Sequence, residues 1–105
     1  METLTALERD FDKAMLRRYR IEIPEQVGYT PTRTIRLIEE NGGVDAVRIL
    51  KHRYPLHDSD GYAKLCLVDR LDLTLESLML EPTFRPLFTN AELSWAKEVI
   101  PDAVS

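Results

Sequence analysis

Residues 70–80 of the chain read RLDLTLESLML, and this stretch decides between an all-α and a mixed fold. Leucines alternate with polar residues from Leu71 to Leu75, which is the pattern of a short β-strand. From Leu75 onward, however, apolar residues follow at helical spacing, and Asp72 is a favourable N-cap. No other stretch offers an obvious partner strand, and an isolated strand is unstable. We therefore predict a helix that begins near Asp72 and is closed by Pro82.

The chain before this stretch also divides into short helices. A stripe of apolar residues at spacings of three and four predicts a first helix, which we expect Pro24 to end by about Glu22. Thr30 followed by Pro31 is typical of the start of a second helix, and the Asn-Gly-Gly of residues 41–43 is typical of its end. The first stripe consists of Leu4, Leu7, Phe11, Met15, Tyr19 and Ile23.

The remaining helix-ending and capping residues predict further helices of similar length. A third helix follows residues 41–43 directly and ends at Tyr54, and a polar loop over residues 56–61 leads to a fourth. Thr89, with Glu92 three residues later, matches the capping box that starts the last helix. The predicted fold class is therefore all-α, a compact bundle of five to six short helices.

Length and composition predict one small domain, spanning residues 1–105. The chain is 44% hydrophobic and 30% charged, which is ordinary for a globular protein. We expect the core to run from about residue 4 to residue 100, with a frayed tail at residues 101–105. A lone cysteine, Cys66, permits no internal disulfide, and the sequence has neither a secretory leader nor a membrane-spanning apolar run. These features predict a cytoplasmic protein without membrane contact.

Charge is distributed unevenly along the chain. Eighteen acidic and fourteen basic residues give a net charge of −4, which argues against a protein that coats nucleic acids generally. Between Lys13 and Arg53, however, nine basic residues outnumber five acidic ones, whereas the part after Tyr54 has four basic and nine acidic residues. This asymmetry suits binding to another protein, or head-to-tail association with a second copy.

Residues 31–53 form two short helices joined by a glycine-containing turn, which is the sequence form of a helix-turn-helix. In that interpretation Arg48 or Lys51 reaches a nucleic-acid groove; the plainer interpretation is a helix hairpin with a solvated basic surface. Trp95 fits the apolar stripe of the last helix poorly, so it is either a partly exposed interface residue or a core residue. The predicted interaction residues are Arg33, Arg36, Arg48, Lys51, Arg53 and Trp95.

Residues that carry chemistry are few. Histidines and carboxylates near one polar loop are the residue types of a metal or acid–base site, but the spacing fails the calcium-loop pattern at its first and twelfth positions. Cys66, inside an apolar run, is typical of a small core residue. Because common catalytic and nucleotide-binding motifs are absent from the sequence, we predict a non-enzymatic protein without cofactor or metal. The loop candidates are His52, His57, Asp58 and Asp60.

Several short motifs resemble a family of small uncharacterised bacterial and phage proteins. The most specific are Arg-Leu-Asp-Leu-Thr at residues 70–74, Glu76, and Leu-Phe-Thr at residues 87–89. The resemblance extends from about Leu7 to Ile100 and implies a compact helical domain. It implies no activity, cofactor or catalytic residue.

The first of those motifs also has a physical interpretation. Asp72 and Thr74 are residue types that cap helices, and Arg70 is placed to pair with Asp72, so the motif predicts a structural corner. The sequence as a whole predicts a regulatory or interaction module that binds another protein or itself. The alternative is a nucleic-acid-binding domain that uses residues 31–53.

Overall fold

The backbone of residues 2–57 and 60–99, and the side chains of 6–57 and 62–99, are described by a computed structural model. Over these residues the fold is all-α, as predicted, with seven α-helical segments and no strand. The Cα radius of gyration, 12.9 Å, is that of a compact chain of this length. The segments are α1 (Glu2–Arg17), α2 (Ile23–Val27), α3 (Thr32–Asn41), α4 (Gly43–Arg53), α5 (Asp60–Leu67), α6 (Leu75–Met79) and α7 (Asn90–Lys97).

The first helix does not end at Pro24, so that prediction is wrong. Helical backbone continues through a π turn, Arg18–Glu22, and then through α2, which gives six continuous rods in the described chain. In the π turn the N–H of Ile23 donates to the carbonyl of Arg18, five residues back. Proline lacks an N–H, and its ring crowds the preceding turn. The wider π turn accommodates Pro24 without ending the helix.

The second helix begins later than predicted, because Pro31 and not Thr30 is its N-cap. Pro31 is buried and has a non-helical ψ of 76°, which holds it outside the helix. Its carbonyl accepts the first helical hydrogen bond, from the N–H of Ile35. The predicted frayed tail, residues 101–105, and the loop residues Asp58 and Ser59 lie outside the described chain.

The joint between α3 and α4 packs directly on α1. Gly42 adopts a left-handed φ of +83°, and the N–H of Gly43 donates to Oδ1 of Asp12 at 2.5 Å. A Cβ atom added to Gly43 would lie only 2.7 Å from Cδ2 of Phe11. Glycine is therefore required here by close approach of the backbone to an aromatic ring.

The stretch that decided the fold class is a helical corner. Leu71–Leu73 forms a 3₁₀ turn, and the N-cap of α6 is Thr74, not Asp72 as predicted. The Thr74 hydroxyl accepts the N–H of Ser77 at 3.1 Å. Asp72 instead accepts two hydrogen bonds from Arg70, at 2.9 and 3.1 Å, so the predicted pairing of these two residues is present.

Helix α7 begins with the predicted capping box. Thr89 accepts the N–H of Glu92, and the Glu92 carboxylate accepts the N–H of Thr89. The same carboxylate accepts a hydrogen bond from Nε of Arg48 at 2.7 Å, which ties α7 to α4. Burial alone would raise the pKa of Glu92, but the bonds from Arg48 and Thr89 outweigh it and lower that pKa below its ordinary value.

The core gathers around Phe11 on α1. The rings of Phe84 and Phe88 meet it edge-on, each with centroids 5.2 Å apart. The other large side chains that are fully buried are Met15, Ile23, Val47 and Met79.

The Gly43→Ala substitution tests the close approach at the α3–α4 joint. We expect it to lower the free energy of unfolding by about 1–3 kcal/mol, because the added methyl group forces Phe11 or the backbone to move. Urea titration followed by circular dichroism measures the change. A Gly43→Ala protein as stable as wild type would show that the joint tolerates a side chain.

Candidate binding site

A cavity of about 130 Å³ lies among the helices, and it is the candidate binding site. The π turn and every α-helical segment from α2 to α7 contribute side chains to its lining. A site assembled from so many segments depends on the whole fold for its shape. Its aromatic lining consists of Tyr19, Tyr29, Tyr54, Tyr62, His57 and Trp95.

One wall of the cavity is the loop that follows α4. His57 has a left-handed φ of +59°, uncommon for a non-glycine residue, and its N–H donates to the carbonyl of Tyr54. The indole N–H of Trp95 donates to the carbonyl of Pro55 at 3.0 Å. The imidazole of His57 stacks on the indole with centroids 4.3 Å apart, so the loop packs against α7.

His57 is a buried histidine with a carboxylate on each ring nitrogen. Nδ1 lies 2.7 Å from a carboxylate oxygen of Glu76, which is buried, and Nε2 lies 3.2 Å from one of Glu98. Carboxylates accept hydrogen bonds, so both contacts are satisfied together only when the imidazole carries both protons. Burial lowers the pKa of His57, but the hydrogen bonds and charges of Glu76 and Glu98 outweigh it and raise that pKa above the ordinary value.

Two tyrosines of the lining, Tyr19 and Tyr62, have raised pKa values. Burial, reinforced by the negative charge of Glu76, raises the pKa of Tyr19 well above its ordinary value. Hydrogen bonding to Cys66, together with burial, raises the pKa of Tyr62 to about 12. Both phenols are therefore neutral near neutral pH.

Two arginines of the cavity lining, Arg33 on α3 and Arg53 on α4, are exposed. Among the described residues, neither has a carboxylate within salt-bridge distance. Arg48, by contrast, donates to Glu92. Arg33 and Arg53 thus place two positive charges without a described carboxylate partner beside an aromatic cavity.

The structure brings together three of the predicted interaction residues, Arg33, Arg53 and Trp95. Trp95 is only 6% exposed, so it is a core residue and not the partly exposed anchor that was one of its two predicted roles. Arg36 and Lys51 are not part of the lining.

Of the four loop candidates, the structure describes the side chains of His52 and His57. His52 is exposed, whereas His57 is buried and contacts glutamates from distant parts of the chain. Asp58 and the side chain of Asp60 lie outside what the structure describes. Within the described residues, no three histidine, cysteine or acidic side chains are grouped to hold a metal ion. The prediction that Cys66 is a core residue is wrong, because its side chain is exposed. Its neighbour on α5, Leu65, is buried instead.

Sequence reasoning missed the two glutamates that hold His57. Glu98 counted only among the acidic residues after Tyr54, and Glu76 counted there and as a motif residue of the resemblance, because their partner is 41 and 19 residues away in the chain. A carboxylate between Leu75 and Leu78 in a short apolar helix was the only local signal that Glu76 is buried.

Comparison with protein-family models, with curated proteins and with solved structures finds no match to this chain. The predicted resemblance to small bacterial and phage proteins therefore stays a prediction. None of the described helices combines the length and apolar character needed to traverse a bilayer.

The ion pairs of His57 predict a pH-dependent stability. A histidine with a raised folded-state pKa stabilises the fold when protonated; this contribution is complete below the unfolded pKa of about 6.5 and is lost above the folded pKa. We therefore expect the free energy of unfolding to fall as the pH rises through that window. Urea titrations at a series of pH values measure the slope.

His52 provides the matched control for this experiment, because it is exposed. The His57→Gln substitution should reduce the slope, whereas His52→Gln should leave it unchanged. A His57→Gln protein that keeps the wild-type slope would contradict the role given to the two glutamates.

Proposed function

We propose that the protein is a small non-enzymatic interaction module that binds another protein, with the cavity as its binding site. The observation that carries the proposal is the composition of the lining, in which tryptophan, tyrosine and arginine predominate among the large polar and aromatic residues. These three residue types supply most of the binding energy in protein–protein interfaces. Arg33 and Arg53 are the residues we assign to this role, and the buried Trp95 forms part of the cavity wall.

The cavity has the size to receive one side chain of a partner. An engineered apolar cavity of about 150 Å³ holds a benzene molecule, and the volume here, about 130 Å³, is close to that. The walls are preformed, because Tyr19 and Trp95 are buried and Trp95 is hydrogen-bonded in place. A preformed pocket avoids part of the ordering cost of association.

An exposed leucine lies beside the cavity. Leu56 is 81% exposed. Leu56 precedes His57 directly, in the loop that forms the cavity wall. A protein seated on the cavity would contact this loop as well.

The hydrogen bonds at His57 favour binding over catalysis. A general base needs a nitrogen lone pair free to accept a proton, and both ring nitrogens here face carboxylates at hydrogen-bonding distance. The phenol groups of Tyr19 and Tyr62 stay protonated near neutral pH. His57 and its two carboxylate partners thus maintain the shape of the cavity wall.

The nucleic-acid alternative has weaker support. It assigned Arg48 to a groove, but the Arg48 guanidinium donates to Glu92 and lies 3.8 Å from Asp45. Arg36 and Lys51 are the other basic residues of that alternative outside the cavity. They serve as a control surface in the test.

Crosslinking tests the proposal in extracts of the source cells. The double variant Arg33→Glu, Arg53→Glu should lose a crosslinked partner that wild type retains, because both rim charges are reversed. The control variant Arg36→Glu, Lys51→Glu makes the same charge change outside the cavity and should retain that partner. Sedimentation of the purified protein shows whether the partner is a second copy of the same chain.

Two outcomes would overturn the proposal. Loss of the partner in the control variant alone would place binding on the α3–α4 surface and away from the cavity. Equal retention by wild type and by both variants would exclude a role for the cavity rim.

A further inference from the structure

We infer that the cavity recognises a carboxylate carried by a compact apolar group, as at the C-terminus of a polypeptide that ends in an aromatic or branched aliphatic residue. The inference rests on the proposed function, because it names the chemistry of the partner segment at the same site. A free organic acid of the same size carries the same chemistry and is the other source of such a ligand.

The charges around the cavity favour an anion. Arg33 and Arg53 have no described carboxylate partner, whereas Glu76, the one carboxylate among the described residues of the lining, is hydrogen-bonded to His57 at 2.7 Å. No carboxylate in the described part of the chain therefore neutralises the positive charge of the rim, although the chain carries a net charge of −4. Guanidinium groups pair with carboxylates through charge-assisted hydrogen bonds that are stronger than neutral ones.

The interior of the cavity favours an apolar group attached to that anion. Leu50, Leu65 and Trp95 are buried lining residues, and the raised pKa values of Tyr19 and Tyr62 keep these two phenols protonated near neutral pH. The volume, about 130 Å³, admits one ring or one branched side chain and little more. A ligand with its charge at the arginines and its apolar part inside fits both regions.

A chain terminus satisfies both requirements with one residue. The α-carboxylate and an apolar side chain are attached to the same Cα, whereas an aspartate or glutamate side chain has no apolar group beyond its carboxylate. Capture of a C-terminal carboxylate is also an established mode of peptide recognition. The inference therefore selects the last residue of a partner over an internal acidic residue.

Calorimetry with matched acids and amides tests the inference on the intact protein. The probes are 3-phenylpropionate and its neutral amide, and the peptide acetyl-Ala-Ala-Phe with a free or an amidated C-terminus. We expect each acid to bind about tenfold more tightly than its amide, because the amide lacks the charge. Trp95, the single tryptophan of the chain, lines the cavity, so its fluorescence reports whether the probe enters.

Two double variants distinguish the effect of Arg33 and Arg53 from the effect of the overall charge of the protein. Arg33→Gln with Arg53→Gln should reduce the preference for the acid to about onefold. Arg36→Gln with Lys51→Gln removes the same charge outside the lining and should leave the preference at about tenfold. These surface substitutions leave the buried core unchanged, which circular dichroism checks.

The outcomes distinguish this inference from the proposed function. Equal binding of acid and amide, or no binding of either at millimolar concentration, would overturn the inference and leave the crosslinking result to decide the function. Preference for free phenylpropionate without binding of the peptide acid would support the carboxylate site and count against a protein partner. Preference for the acid that survives in the Arg33, Arg53 variant would also overturn the inference.

Discussion

The hydrogen bond between His57 and Glu76 is the interaction on which the candidate binding cavity depends. Both side chains are buried, so removing one would leave a polar or charged group without its partner at a cost of several kcal/mol. The bond fastens the loop after α4 to α6, and Trp95 fastens the same loop to α7 through Pro55. Three helices that are distant in sequence therefore share one wall. The left-handed backbone of His57 is maintained by these contacts.

Elements specified by neighbouring residues were predicted well from the sequence. The capping box of Thr89 and Glu92 requires only three residues of separation, and it is present as predicted. The helix after residues 70–74 was predicted correctly, because the sequence offers no obvious partner for a strand. Its N-cap is Thr74 and not Asp72, because residues 71–73 form a 3₁₀ turn. Pro24 failed as a stop signal because the rule assumes a regular α-helix before the proline. Burial of Tyr19 and Ile23 keeps that part of the chain helical.

The candidate binding site could be predicted only in part from the sequence, because the residues that pair within it are far apart in the chain. Arg33 and Arg53 were identifiable as basic residues, but whether an arginine is paired depends on the fold. Arg48 has the same residue type and finds Glu92 44 residues away. His57 was singled out with its sequence neighbours, whereas its partners come from α6 and from the residue after α7. Sequence spacing identified the chemical groups and could not identify their contacts.

The π turn in the first rod sets the angular phase of the residues that follow it. An α-helix has 3.6 residues per turn, so apolar residues spaced by four advance about 40° around the axis at each step. Phe11, Met15, Tyr19 and Ile23 keep that spacing and are all buried, and a turn that closes five residues back offsets part of the advance. The wider turn thus keeps Tyr19 and Ile23 on the same side of the helix. Both residues line the cavity. A regular α-helix over the same residues would carry Ile23 about 40° further around the axis than Tyr19.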